Sequence, residues 1–216
     1  MKNLKREQAY HRLREAITQG EIKPGERVVE KVISERFHFG RTPLREALRL
    51  LEMEEYIDVI PNRGAFVRKI SFQELEQFYP ILAVLEGYAV ERSTKLNDKP
   101  LNENLRLIEK DLVNAAKAND YSLWMAKNAL FHGYFLEMAG NPLLSSQVNS
   151  LRRRTHRFQV LAVSITGHLQ EFLADHTKIL EAVSERKAEK AGRRMRRHIE
   201  RTGEILVNFL KENPWS

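Results

Sequence analysis

At Glu54-Glu55 the apolar repeat of this chain changes period, from that of a helix to that of a strand. Before it, Leu44, Ala47, Leu48 and Leu51 recur at spacings of three and four, the mark of a helix with one buried stripe. After it, Tyr56-Ile57-Asp58-Val59-Ile60 and Ala65-Phe66-Val67-Arg68 read as two short strands joined by the turn Pro61-Asn62-Arg63-Gly64. Upstream, Tyr10, Leu13 and Ile17 share one side of a helix predicted over 7–19, which Gly20 and the turn Lys23-Pro24-Gly25-Glu26 close. A second short helix is expected over about 30–37, with Val32, Ile33 and Phe37 apolar. Thr42 is expected to cap the third helix and Pro43 to open it, at a position where the absent N–H costs nothing. Helix, helix, helix and hairpin together outline a winged helix-turn-helix.

The remainder reads as wholly helical. Ser71 followed by Glu74 matches a capping box. Leu75, Phe78, Leu82, Leu85 and Ala89 continue that helix, and Pro80 is expected to kink or split it. Further helices are predicted near 101–118, 121–139, 142–163, 169–185 and 187–212. Asn97-Asp98-Lys99-Pro100, Ala118-Asn119-Asp120, Gly140-Asn141-Pro142 and Thr166-Gly167 separate them. The expected fold is therefore mainly α: a winged helix-turn-helix over 1–70, then an all-α helical bundle over 71–216.

Chemistry enters through the third helix, where Arg41, Arg45 and Arg49 recur every four residues on a face away from the apolar stripe. A guanidinium pairs bidentately with guanine O6 and N7 or with a phosphate, and a helix start offers free N–H groups to a phosphate. A solvated arginine face flanked by Glu46 and Glu52 is the bland reading. The position of this helix, third before a hairpin tipped by Arg63-Gly64, favours DNA. Charge agrees: the net charge is +7, and residues 1–70 hold 15 Lys/Arg against 11 Asp/Glu. With no cysteine in the chain, a disulfide framework, a thiolate zinc site and a cysteine nucleophile are excluded. The segment MKNLKREQAYHRLREAI lacks the apolar core of a signal peptide, and no apolar run reaches about 18 residues. The cytoplasm, and no membrane, is the expected setting.

Residues Ile22 to Val67, with PGERVVEKVISERFHFGRTPLREALRLLE and the wing RGAFV, resemble the DNA-binding domain of GntR-type regulators. The helical remainder, with FHGYFLEMAGNPLL, resembles the FCD effector domain of the FadR subgroup. The resemblance implies a homodimer whose recognition helices enter the major groove of a palindromic operator in double-stranded DNA while the wing tips touch the minor groove. It assigns DNA contacts to Arg41, Thr42, Pro43, Arg45 and Gly64, and to Lys31 where relatives can carry a contacting arginine. Gly40 stands where the family usually has Ser or Thr.

Seven histidines are present. His11 and His38 read as surface or local packing residues, and His156 and His168 have no evident partner. His132, His176 and His198 each fall in the middle of a different predicted helix, and Asn128 lies one turn before His132 on the same face. Taken alone, these are ordinary core or surface histidines. The FCD resemblance implies more, because many such domains bind a divalent metal through an Asp-x-x-x-His pair on one helix and single histidines on two later helices. Asn128, His132, His176 and His198 match those positions in order. Asn128 replaces the usual aspartate, so the set loses one negative charge. Zinc or nickel suits imidazole-rich coordination, and three imidazoles leave positions open for water or an effector. A second departure is Ala83, where relatives often carry an arginine that helps to hold acidic effectors.

The function these features imply is sequence-specific DNA binding by a transcription regulator, most simply a repressor, modulated by a small metabolite in the helical domain. Two other readings compete. In one, the helical domain is vestigial and serves only to dimerise, as the Asn128 and Ala83 departures allow. In the other, an open metal position activates water for hydrolysis. That chemistry needs a placed general base, yet HExxH, GxSxG and P-loop motifs are absent and the histidines have no obvious carboxylate partner in sequence. The expectation is that the chain is not an enzyme.

Overall fold

The computed structural model describes residues 2–18, 20–69, 72–97 and 102–212, and the side chains of 5–17, 20–69, 73–97, 102–153, 155 and 167–212 within them. Ser71, Asp98, Lys99 and Pro100, and the side chain of His156, lie outside the described residues, so the capping box expected at Ser71 is among the readings it does not reach. The chain divides into two compact units, one built on the residues up to Ser71 and the other on those from Phe72 onward apart from Arg153–Phe158, and each is described by itself.

The first unit runs α1 (Lys2–Thr18), β1 (Arg27–Val28), α2 (Glu30–Phe37), α3 (Arg41–Met53), β2 (Ile57–Ile60) and β3 (Gly64–Val67). The apolar stripes predicted from spacing are the buried ones: Leu13 and Ile17 of α1 join Leu44, Ala47, Leu48 and Leu51 of α3, with Ile33, Ile57 and Val67 in one core. Burial of each such side chain contributes about 1.5–3 kcal/mol, which is what holds these short helices together. The hairpin forms as expected, Ile57 opposite Val67 and Ile60 opposite Gly64. Its turn uses the left-handed region at Asn62 and Gly64, φ +61° and +99°.

Two details differ from expectation. A third strand is present: β1 pairs antiparallel with β3, Arg27 opposite Phe66, giving the order β1-β3-β2. Two residues are too few to show an alternating pattern. The third helix begins at Arg41 with Gly40 as its N-cap, and no side chain caps it, so Thr42 is not the cap and Pro43 is the third helical residue. Proline is tolerated there because the first four helical N–H groups lack intrahelical acceptors in any case.

Among the described residues the second unit is helical: α4 (Phe72–Leu96), α5 (Glu103–Ala118), α6 (Tyr121–Met138), α7 (Pro142–Thr166), α8 (Leu169–Ser184) and α9 (Ala188–Glu212). Asn102, Asp120 and Asn141 cap α5, α6 and α7 by accepting from the N–H three residues on. Pro80 does not split α4. It sits on the exposed face, where the carbonyl one turn earlier that loses its donor can reach water. The longest packing seam joins α4 and α9. These helices touch backbone to backbone at Gly87 and Gly192, and a Cβ added to Gly192 would lie 2.8 Å from the Gly87 carbonyl oxygen.

Candidate nucleic-acid interface and metal centre

Helix α3 buries Leu44, Ala47, Leu48 and Leu51, and its 3.6-residue period therefore turns Arg41, Arg45 and Arg49 to solvent. A groove runs between this exposed face and the wing, lined by Arg27, Glu30, Arg45, Arg49, Glu52 and Gly64. The structure thus brings two of the sequence-derived candidates, Arg45 and Gly64, into one groove. Arg41 and Thr42 are exposed and Pro43 half-buried at the open start of α3, while Lys31 is exposed on α2. Gly64 keeps the wing narrow at a backbone angle L residues avoid, and the Arg27 guanidinium lies 3.3 Å from where its Cβ would be. Arg45 Nε donates to both carboxylate oxygens of Glu30, at 3.0 and 2.8 Å. Neither Arg27 nor Glu30 is marked by the sequence pattern, because both face the groove from segments whose apolar residues carry the visible signal.

In the helical unit, His132 of α6, His176 of α8 and His198 of α9 meet in the interior at 2%, 1% and 5% exposure. Their ligand atoms all lie within 4.8 Å of one another, and Nε2 of His176 is 3.2 Å from Nε2 of His198. Two nitrogens bound at about 2.0–2.1 Å to one ion stand roughly 3.0–3.4 Å apart, for octahedral or tetrahedral angles respectively. The His176–His198 pair therefore has the spacing of two ligands on one divalent ion, and His132 stands near enough to them to complete the set. Asn128 lies one turn before His132 on α6 and is half-buried.

The orientation of each ring has a cause. His132 Nδ1–H donates to Glu86 at 2.6 Å, which leaves the lone pair on Nε2 for a ligand. Glu86 also accepts from Arg152 Nε and Nη2, both at 2.7 Å. Burial alone would raise the Glu86 carboxyl, but the Arg152 guanidinium and the His132 ring outweigh it and bring it down to about 2. His198 Nδ1 faces Asp175 at 3.4 Å, and Arg201 stands 3.4 Å from the same carboxylate. Asp175 is also held below the ordinary carboxylate range; burial opposes this, and the hydrogen bond and charge of His198 prevail. Burial, reinforced by Arg152, pushes His132 down to about 4, and burial with the neighbouring rings takes His176 well below its ordinary value. Near pH 7 both are neutral imidazoles, the form that binds metal. The His176 ring stacks on Phe131 at 4.2 Å between centroids, parallel to Trp124 at 5.7 Å. Its buried Nδ1 meets no partner among the described residues.

The expectation that the histidines lack carboxylate partners is corrected here. Glu86 interrupts an otherwise apolar run, Ile81 to Leu85, and Asp175 directly precedes His176. A lone charge in a buried stripe was the signal available for Glu86. Neither carboxylate is free to act as a general base, since each is engaged by an imidazole and an arginine. Ala83 is fully buried, and the guanidiniums beside the cluster's carboxylates are those of Arg152 and Arg201.

Comparison with known proteins bears on both sites. Residues 5–67 match the profile described as "Bacterial regulatory proteins, gntR family", and residues 77–201 match the FCD domain. The chain is similar to the uncharacterized HTH-type transcriptional regulator YdhC of Bacillus subtilis, 27% identical over 95% of this chain and 92% of that one. It is also similar to the HTH-type transcriptional repressor RspR of Escherichia coli, 25% identical over 96% and 91%. In fold it resembles the solved structure of E. coli McbR/YncC, with a TM-score of 0.74 and 22% identity, covering 97% of this chain and 99% of that one. Among the described residues no helix is long and apolar enough to cross a membrane.

Proposed function

Starting from the fact that the chain belongs to the gntR family of bacterial regulatory proteins and carries an FCD domain, we propose a homodimeric cytoplasmic repressor, not an enzyme, that releases a palindromic operator when a metabolite binds its helical domain. DNA-binding transcription regulation is the function of the family and of this chain. In the proposed division of labour, residues 1–70 read DNA and residues 71–216 dimerise and sense. The observation that carries the reading of DNA is the groove in which Arg45 of α3 faces Gly64 of the wing. Arg41, Thr42 and Pro43 at the start of α3, with Lys31 on α2, would flank it on phosphate and base edges.

Sensing is assigned to the buried histidines. His132, His176 and His198 would hold zinc or nickel by Nε2, with the Asn128 amide oxygen as a fourth, neutral ligand. Such an ion would supply a positive anchor for an oxygen donor of the effector. Glu86 and Asp175 would hold two of the rings in the metal-binding tautomer, and Arg152 and Arg201 would balance the charge of those carboxylates. Three imidazoles and an amide bring no charge of their own, so a loaded site would be electropositive and would favour an anionic ligand. The effector can shift operator affinity by no more than its differential affinity for the two arrangements of the dimer.

The test is fluorescence anisotropy of the full chain on the intergenic DNA upstream of its own gene, at two salt concentrations, beside Arg45→Ala. Tight binding that resists competitor DNA, weakened in the variant by about 1–3 kcal/mol, is the expected result. Binding that vanishes with salt and ignores the substitution would reduce the interface to phosphate attraction. Elemental analysis of the purified protein should find one divalent ion per chain. A protein that takes up neither zinc nor nickel would leave the helical domain as a dimerising element only.

A further inference from the structure

We propose that Glu30 is a specificity-determining residue of the reading head: it holds Arg45 by Nε, so that the arginine offers only its terminal edge, and that edge reads a guanine in each operator half-site. This rests on the regulator reading above. Glu30 is the first residue of α2, and its carboxylate spans to α3, meeting Arg45 Nε with both oxygens at 3.0 and 2.8 Å. The two side chains are 40% and 66% exposed. An ion pair so open to water contributes little to stability, so a purely structural role leaves the contact with little to do.

A guanidinium has two edges able to make paired hydrogen bonds: a side edge, Nε with one Nη, and an end edge, Nη1 with Nη2. Glu30 takes Nε with both oxygens, which removes the side edge as a free pair of donors. Among the described residues no acceptor meets the end edge, and Arg45 lines the same groove as Gly64 of the wing. Two parallel N–H donors on a rigid plane match guanine O6 and N7 in the major groove.

The carboxylate also changes which target is preferred. A phosphate is attracted mainly by charge, and the Glu30–Arg45 pair is neutral, with an anion placed beside any approaching phosphate. Guanine is uncharged and is bound by directional hydrogen bonds, which the pair retains. Glu30 therefore weakens the indiscriminate use of Arg45 more than its selective use. Arg41 and Arg49 of the same helix meet no carboxylate among the described residues, and they keep the full charge suited to phosphate.

The experiment is operator selection from random DNA with the full-length wild type, Arg45→Ala, Glu30→Ala and Glu30→Gln, followed by anisotropy on the selected site and on unrelated DNA across a salt series. The wild type should enrich a guanine in each half-site that Arg45→Ala no longer enriches. Glu30→Ala should relax preference at that same position by about tenfold, bind unrelated DNA several-fold more tightly, and steepen the salt slope by about one. Glu30→Gln, which keeps a neutral acceptor for Nε, should fall between the two. Unchanged guanine preference in both Glu30 variants, or relaxation at a position other than the one Arg45 controls, would overturn the assignment. A wild type that enriches no motif would instead refute the operator reading, and this proposal with it.

Discussion

Replacing Glu86 by Gln tests the electrostatic frame of the metal centre in a single isosteric step. The carboxylate receives three donors, Arg152 Nε and Nη2 and His132 Nδ1, at 2.7, 2.7 and 2.6 Å. An amide has one oxygen and one NH2 group, so in either orientation its N–H bonds point at another donor. The substitution also removes the negative charge that faces Arg152 and His132 in the interior. Two routes give the cost. Holding a carboxyl at about 2 against an ordinary value near 4.5 corresponds to roughly 3 kcal/mol. Removing one partner of a buried ion pair costs about 3–5 kcal/mol, and the partial exposure of Arg152, 15%, favours the lower end. Urea unfolding of metal-free protein at pH 7 should therefore show the variant less stable by about 3 kcal/mol. The sign with pH follows from a lowered carboxyl: its contribution is present above about 4.5 and is lost as the pH falls toward about 2. The gap between wild type and variant should close over that window. A difference below about 1 kcal/mol at pH 7, or one that persists undiminished at low pH, would refute the account of Glu86 as a buried charge held by Arg152 and His132.

Further outcomes follow from the same geometry. Asn128→Asp, which restores a charged oxygen one turn before His132, should tighten zinc binding about 10–100-fold in a competition titration against a chelator; unchanged affinity would remove Asn128 from the ligand set. Metal-free protein should lose stability as the pH falls from about 6.5 toward 4, because the unfolded chain then binds protons that buried His132, held near 4, and His176 refuse. Equal urea midpoints at pH 7.5 and 5 would count against that burial. Gly192→Ala, whose new Cβ would sit 2.8 Å from the Gly87 carbonyl oxygen, should cost about 1–3 kcal/mol by forcing α4 and α9 apart; a neutral effect in thermal unfolding would show that the crossing is looser than described.

Much of this was legible in the sequence, for reasons that can be stated residue by residue. Leu44, Ala47, Leu48 and Leu51 announced α3 because a helix that buries one stripe must repeat it every three or four residues. Asn119 and Gly167 marked helix ends because both adopt left-handed backbone there. What escaped reading was non-local. Strand β1 exists because Arg27-Val28 find an open edge of β3, and two residues carry no period of their own. Gly40 caps α3 by backbone alone, so no side-chain signal announced it, and Thr42 drew the assignment instead. The histidines were found through resemblance, since three imidazoles on three helices look unremarkable until packing brings them together. Glu86, Asp175 and Arg152 were missed because each belongs to the site only through a partner on another helix. Glu30 was missed for the same reason, its meaning lying in a contact with Arg45 fifteen residues away.

The seam between α4 and α9 bears on how the protein is made. These helices stand at opposite ends of the helical unit's sequence, yet their backbones touch at Gly87 and Gly192. On the ribosome, α4 emerges roughly a hundred residues before its mate, a wait of about 5–20 s at ordinary elongation rates. The winged unit has no such delay, because its core is complete once Val67 is out. Each nascent chain thus passes through an interval in which a finished reading head trails an unpaired α4, whose Leu75, Leu82 and Ala89 have yet to be covered. That interval is when the growing chain is most open to chaperone binding or to pairing with the wrong helix, and it closes only as the last turns of α9 leave the exit tunnel.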